Sequence, residues 1–154
     1  MQLTEFLDFD AIKPALPAGN KRSLLNQLAS IAAARLELPA SAIVETLTER
    51  EKLGSTGFGQ GVAIPHGKVE GLGQIYGLFV RLAEPVGYKA IDRKPVDLVF
   101  LLLSPPDAGA EHLKALAAVS RVVRNAPTLE KMRGARSRDA LAAVLLGADE
   151  RDAA

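Results

Sequence analysis

Residues 54–68 combine closely spaced glycines, two hydroxyl side chains and one histidine. The run reads Gly-Ser-Thr-Gly-Phe-Gly-Gln-Gly-Val-Ala-Ile-Pro-His-Gly-Lys, and five of its residues are glycines: Gly54, Gly57, Gly59, Gly61 and Gly67. Glycine has no Cβ and tolerates positive φ, so the loop can turn tightly and approach a bound group closely. The hydroxyls of Ser55 and Thr56 lie between the glycines.

His66 follows a short apolar strand that stops at a proline. Pro65 fixes its own φ and pushes the residue before it into an extended conformation. The pattern therefore predicts a histidine at the end of a stiff strand, with Gly67 leaving room in front of it. The alternative is an incidental surface histidine beside a glycine-rich loop and an edge strand.

Two further residues could join His66 in handling an anion. His112, the second of two histidines, lies in the first turn of a predicted helix, where free N–H groups favour negative charge. Arg50 precedes the glycine loop and carries a planar guanidinium that suits phosphate. The alternatives are a core histidine, since His112 shares a helix side with apolar residues, and a solvated charge at a helix end.

Few kinds of site fit these residues. A zinc site without cysteine needs carboxylates beside both histidines, and no His-x-x-Glu or His-Glu-x-x-His spacing supplies them, although Glu111 adjoins His112. There is no Gly-x-Ser-x-Gly elbow, Walker A sequence or dinucleotide fingerprint. A transient phosphoryl acceptor needs only an exposed neutral imidazole, donors around the incoming oxygens and a surface that a partner can reach. We therefore expect no metal and no cofactor.

Composition narrows the class of protein. The chain has 154 residues, a net charge of +1 and no cysteine. This length predicts one domain, and the low net charge gives no broad footprint for nucleic acid or an anionic membrane. The lack of cysteine fits a reducing cytosol. No signal-peptide pattern is present, and the longest apolar run, 98–103, is too short to span a bilayer. We expect a soluble, cytoplasmic protein that neither binds nucleic acid nor inserts into a membrane.

Residue patterns predict an α/β fold. Helices are expected at 21–36 with Asn20 as N-cap, 40–53 with Gly54 as C-cap, 110–125, 128–133, and from after the N-cap Ser137 to Gly147. Strands are expected at 74–82 and 96–103, with a short one near Tyr88. The two longer strands are almost continuously apolar, which indicates a sheet covered by helices on both faces. We expect one domain over 3–147 and a short, polar, frayed tail over 148–154.

The motif resembles a known family. Gly54-Ser55-Thr56-Gly57 through Ala63-Ile64-Pro65-His66-Gly67-Lys68, preceded by Arg50-Glu51-Lys52, resembles the signature of the fructose/mannitol-type IIA domain of the bacterial phosphotransferase system (PTS). The resemblance continues through Ala90-Ile91-Asp92, Pro95-Val96-Asp97-Leu98 and Glu111-His112-Leu113, and covers about 3–147. Within the family the chain is most similar to the stand-alone nitrogen-regulatory branch (EIIA-Ntr). Phe58 and Gln60 depart from the usual Ile or Leu and Asn.

The resemblance implies a mainly mixed sheet and a phosphocarrier. His66 would take a phosphoryl group, on Nε2 in this family, from a phosphorylated HPr-like carrier of the NPr type, which is supplied from phosphoenolpyruvate through an enzyme I. His112 and Arg50 would hydrogen-bond and charge-balance the phosphohistidine, with Gly54, Ser55, Thr56 and Gly67 in the surrounding loop. Regulated partners would include potassium-transport or kinase components.

Two alternative functions stay open. The chain could be a sugar-specific IIA component that passes phosphate to a IIB domain. It could also be a binding module that regulates its partners whether or not it is phosphorylated.

Overall fold

The computed structural model describes residues 1–153, with side chains as far as Arg151. Its helices are α1 Lys21–Leu36, α2 Ala40–Lys52, α3 Ala110–Val123, α4 Ala126–Gly134 and α5 Arg138–Ala153. Its strands are β1 Lys13–Leu16, β2 Gly57–Gly59, β3 Val62–Ala63, β4 His66–Lys68, β5 Tyr76–Val86 and β6 Val96–Ser104. Two short 3₁₀ turns, Leu3–Glu5 and Phe9–Ala11, precede β1.

The six strands form one mixed sheet. Its order is β1-β5-β6-β3-β2, and β4 pairs with β6 beyond the end of β3. The pairs β1/β5, β3/β6 and β4/β6 are parallel, whereas β5/β6 and β2/β3 are antiparallel. The predicted α/β fold, with helices on both faces of a mixed sheet, is confirmed.

Strand β6 supplies both faces of the sheet with core residues. Leu98, Phe100 and Leu102 pack with α3, α4 and α5 on one face. Val99, Leu101 and Leu103 pack with α1 and α2 on the other. Successive side chains of a strand point to opposite faces, so an uninterrupted apolar run requires helices on both. The near-continuous apolar pattern of β6 therefore reflects double burial.

Side-chain caps set several helix starts. The Asn20 side chain accepts a hydrogen bond from Ser23 N at 2.8 Å, and α1 has the predicted bounds. Ser137 Oγ accepts one from Ala140 N at 3.0 Å, which confirms it as an N-cap. Helix α4 begins two residues earlier than predicted because Asn125 caps it and proline is tolerated in a first turn.

The strand predicted near Tyr88 is absent. Strand β5 extends to Val86, and Tyr88 lies in the following loop, fully buried. Lys89 has φ of 59° and Arg93 has φ of 62°. These left-handed conformations interrupt extended backbone, so the aromatic residue is buried as a loop anchor instead of as part of a strand.

The prediction that the last helix ends at Gly147 and that a frayed tail follows is wrong. Helix α5 continues to Ala153, and both Ala148 and Asp149 are buried. The Asp149 carboxylate accepts hydrogen bonds from Leu3 N at 2.6 Å and Thr4 N at 3.3 Å. This contact spans almost the whole chain, which is why local composition did not predict it. Ala154, the last residue of the predicted tail, lies outside the described residues.

Candidate functional site

Three elements meet at the candidate site. Arg50 lies in the last turn of α2, His66 begins β4, and His112 lies in the first turn of α3. His66 pairs in register with Leu102 near the end of β6, beyond the part of β6 that pairs with β3. His66 therefore opens a separate short strand, not the end of the preceding one as predicted.

The protonation pattern of His66 is fixed by two neighbours. Arg50 Nε donates to His66 Nε2 at 3.2 Å. A guanidinium has no acceptor, so Nε2 must carry a lone pair. On the other side of the ring, Nδ1 lies 2.6 Å from the Ile64 carbonyl oxygen, an acceptor. Both contacts indicate the neutral tautomer with its proton on Nδ1, which leaves Nε2 as the nucleophilic atom.

His112 lies against His66. Their ring centroids are 5.6 Å apart with the planes inclined at 51°. The His112 side chain is half-buried, and its Nδ1 lies 2.6 Å from the hydroxyl of the fully buried Ser104. The ring thus contacts the core on one edge and the site on the other, so it is not an enclosed core histidine.

The environment favours neutral histidines. Burial lowers the pKa of His66 below its ordinary value, and the Arg50 charge lowers it further against the opposing hydrogen bond to Ile64. Burial also lowers the pKa of His112, with smaller contributions in the same direction from His66 and Lys68. The nucleophilic lone pair on His66 is therefore available at neutral pH.

The loop hydroxyls hold the scaffold together. Ser55 Oγ donates to the Tyr88 carbonyl at 3.0 Å and accepts from Gly57 N at 3.0 Å. Thr56 Oγ1 contacts Glu51 Oε2 and lies 3.0 Å from the Tyr88 hydroxyl. These groups fix the loop to its neighbours. The backbone carbonyl of Gly54 accepts from Arg50 Nη1 at 2.9 Å, which ties the loop directly to the guanidinium.

Gly67 has a different role from the expected one. A Cβ at this position would lie 3.0 Å from Thr46 Oγ1 and 3.1 Å from its Cγ2. Glycine here lets α2 approach β4, where Thr46 Oγ1 also donates to the Lys68 carbonyl at 2.9 Å. The missing side chain brings the helix that carries Arg50 close to the strand that begins with His66; it does not clear space for an incoming group.

Glu51 anchors this scaffold, and sequence reasoning missed it. Its carboxylate, with 7% side-chain exposure, pairs with Lys21 Nζ at 2.8 Å and accepts from Thr56 N at 3.0 Å and the Tyr88 hydroxyl at 3.2 Å. Burial disfavours the charge, but the hydrogen bonds from Lys21 and Thr56 outweigh it and lower the pKa of Glu51. In sequence it resembles any charge at the end of a helix. Ser104 was missed for the same lack of a local signal.

Metal clusters and membrane-spanning helices are both absent from the part of the chain that the structure describes. Within residues 1–151, whose side chains the structure describes, no group of three or more histidine, aspartate or glutamate side chains is placed to hold a metal ion. Over residues 1–153, no helix combines the length and apolarity needed to cross a bilayer.

The sequence profile of one family, the phosphoenolpyruvate-dependent sugar phosphotransferase system EIIA 2 domains, matches residues 5–147. The chain belongs to this family. This chain is 46% identical over 145 residues to the nitrogen regulatory protein of Bradyrhizobium diazoefficiens. The alignment covers 94% of this chain and 95% of that protein. These matches confirm the resemblance found in the sequence and support a regulatory PTS role.

Two solved structures have the same fold as this chain. The crystal structure of IIA-Ntr from Neisseria meningitidis superposes on this chain with a TM-score of 0.87 at 38% identity. The match covers 93% of this chain and 98% of that one. Mannitol IIA of Escherichia coli, in a complex with phosphorylated mannitol IIB, gives a TM-score of 0.75 at 18% identity, covering 90% and 95%. The second likeness shows the shared fold alone.

Proposed function

We propose that this EIIA domain is a regulatory phosphocarrier of the nitrogen type, which accepts a phosphoryl group on His66 Nε2 from a phosphorylated HPr-like carrier of the NPr type. One observation carries the proposal: Nε2 holds a lone pair while Nδ1 donates to the Ile64 carbonyl, beside an arginine and a second histidine. The nitrogen-regulatory relatives support the branch.

The transfer needs little rearrangement. The Nε2 lone pair attacks phosphorus as the bond from phosphorus to the donor's side chain breaks, and that bond's electron pair leaves with the donor atom. Arg50 covers Nε2 in the free protein, so its guanidinium pivots outward to pair with the phosphoryl oxygens. Such transfer depends mainly on positioning and on positive charge near the oxygens. His112 supplies a further hydrogen bond.

The surroundings favour a protein donor. Leu53, three residues after Arg50, is 85% exposed, and Leu113, next to His112, is 67% exposed. Exposed apolar side chains beside a polar site are typical of protein contact surfaces. Phosphorylation adds about two negative charges near neutral pH, which is large against a net charge of +1. Phosphorylation state therefore changes which partners bind, potassium-transport or kinase components among them.

Reconstituted phosphotransfer tests the proposal. The protein is incubated with phosphoenolpyruvate, enzyme I and the HPr-like carrier, and the modified residue is mapped by mass spectrometry. Wild type is expected to be labelled on His66, and His66→Ala to remain unlabelled. Labelling that survives His66→Ala refutes the assignment.

His112→Gln is the matched variant because it removes the other histidine. Labelling of the folded protein is expected to slow by about 10- to 150-fold, the range for one hydrogen bond to a charged group. Some loss of stability is expected as well, because the buried Ser104 hydroxyl loses its acceptor. Normal labelling with lower stability would instead assign His112 to packing.

A second candidate is a sugar-specific IIA component, because the matching family profile is that of a sugar phosphotransferase system. It predicts rapid transfer from labelled protein to a sugar-specific IIB domain, and failure with every IIB of the organism would exclude it. Regulation independent of phosphorylation is tested by comparing partners captured by His66→Ala and His66→Asp. Different partners for the two variants would exclude it.

A further inference from the structure

Ser104 ends β6 in a rigid, enclosed position. Its exposure is 0%, its carbonyl accepts from Val69 N at 2.9 Å, and its backbone pairs in register with Lys68 of β4. The backbone is therefore held from the strand that begins with His66. The side-chain hydroxyl points to one polar atom, His112 Nδ1, at 2.6 Å.

The direction of that hydrogen bond follows from the number of partners. A hydroxyl carries one proton, and a buried O–H needs an acceptor. Among the described side chains and backbone, His112 Nδ1 is the sole hydrogen-bond partner of Ser104 Oγ. If Nδ1–H donated instead, the serine proton would be buried without an acceptor. The hydroxyl therefore donates to Nδ1, and the neutral ring carries its proton on Nε2.

We infer that Ser104 is a positioning residue for phosphoryl transfer: it fixes His112 in the Nε2–H tautomer, so that this ring meets the incoming group as a donor. Within the described residues the Nε2–H of His112 has no protein acceptor, so it is free to donate. His66 has the opposite tautomer, with its lone pair on Nε2. The two neighbouring rings thus present one nucleophile and one donor.

The Ser104–His112 hydrogen bond and the His112 tautomer do not depend on the proposed function. Their consequence for phosphoryl transfer does rest on it. The oxygens of a phosphoryl dianion act only as acceptors. A His112 tautomer with its lone pair on Nε2 would repel them, whereas Nε2–H stabilises them. Ser104 acts through His112, without touching the phosphoryl group.

The first test needs no phosphotransfer. Two-bond ¹H–¹⁵N correlation spectra of the unphosphorylated protein, at about pH 8 where both rings are neutral, identify which nitrogen of each ring carries the proton. We expect wild-type His112 to be protonated only on Nε2, and Ser104→Ala to show a mixture of tautomers. Protonation on Nδ1 in wild type overturns the inference. An unchanged pure Nε2–H ring in Ser104→Ala overturns it too, because the ring would then need no serine.

The second test determines whether Ser104 affects phosphoryl transfer through His112. Ser104→Ala is expected to slow phosphoryl acceptance by about two- to tenfold, the range of one hydrogen bond's net contribution. In a His112→Gln background the same substitution is expected to have no further effect. Equal slowing in both backgrounds would mean that Ser104 acts on packing, and the inference would fail. If His66 is never labelled, the proposed function fails, while the spectra still decide the role of Ser104.

Discussion

Glu51→Gln is expected to destabilise the protein although it removes one charge and almost no volume. The carboxylate is paired with Lys21 and accepts from the backbone and hydroxyl of Thr56 and from the hydroxyl of Tyr88. A glutamine amide offers one oxygen and turns its NH₂ group toward one of these donors. At least one donor therefore loses its acceptor, and the partly buried Lys21 ammonium, which keeps only the Tyr88 carbonyl at 3.3 Å, loses its counter-charge.

The magnitude follows from the burial of the carboxylate, whose side chain is 7% exposed beside a partly buried Lys21 at 22%. Removing one partner of a buried ion pair costs about 3–5 kcal/mol, and the isosteric glutamine keeps part of the hydrogen bonding, so we expect about 2–4 kcal/mol. For a domain of this size each kcal/mol shifts the melting temperature by about 2–4 °C. The free energy of unfolding from urea denaturation, with the melting temperature as a check, measures the effect.

Glu49→Gln is the matched control. It lies on the same helix two residues earlier, pairs with Lys52 at 3.0 Å, and both side chains are 66% exposed. Its substitution is expected to change the free energy of unfolding by no more than about 0.5 kcal/mol. Equal effects of the two substitutions would refute the view that the buried carboxylate anchors the loop.

The pH dependence of stability gives a second test of the role of Glu51. Because the folded-state pKa of Glu51 lies below its ordinary value of 4.5, its stabilising contribution is present above that value and is lost as the pH falls through the folded-state pKa. Glu51→Gln should therefore lose less stability on acidification than wild type. The variant should also accept phosphate more slowly, since the loop that holds Arg50 through the Gly54 carbonyl is released.

Three further perturbations test other parts of the structure. Asp149→Ala removes the buried acceptor of the N-terminal turn and should cost about 1.5–3 kcal/mol in urea denaturation, the range for hydrogen bonds to a charged group. Gly57→Ala would place a Cβ 2.6 Å from the Cα and Cβ of Ala90, and such overpacking should cost about 1–3 kcal/mol. The pKa values of His66 and His112 are lowered by burial, so the unfolded chain binds more protons, and stability should fall as the pH drops through about 6.5.

Each of these has its own control. Asp149→Asn keeps one acceptor oxygen and should fall between wild type and the alanine variant; no loss in either would mean that the cap is unimportant. Gly19→Ala meets nothing within 4 Å and should be neutral or slightly stabilising, because alanine lowers the entropy of the unfolded chain; an equal cost at both glycines would contradict the clash at Gly57. His66→Gln should reduce the pH dependence between about pH 8 and 5.5, and an unchanged slope would contradict the lowered pKa.

Local sequence patterns predicted the structure correctly where a short segment determines its own conformation. Asn20 and Ser137 cap helices because each side chain accepts a hydrogen bond from the backbone N–H three positions later, and that depends on sequence spacing alone. The apolar run of β6 has only one stable environment, a sheet covered on both faces. The spacing from Arg50 through the glycine loop to His66 predicted the family and the residues that the fold brings together.

Local sequence patterns did not predict the contacts between segments that are far apart in the chain. Glu51 and Asp149 look like solvated charges in sequence, because burial of a carboxylate depends on donors that other elements supply. Gly67 seemed to open space for a ligand, yet only the packing of α2 against β4 shows which neighbour its missing side chain admits.

The sequence by itself determined the family, the two covered faces of the sheet and the pair of histidines with their arginine, since these depend on residue type and spacing. Tertiary structure decided which histidine nitrogen carries a proton. A ring's tautomer is set by the donors and acceptors around it, and for His66 and His112 these are Arg50, the Ile64 carbonyl and the Ser104 hydroxyl, contributed by three different parts of the fold.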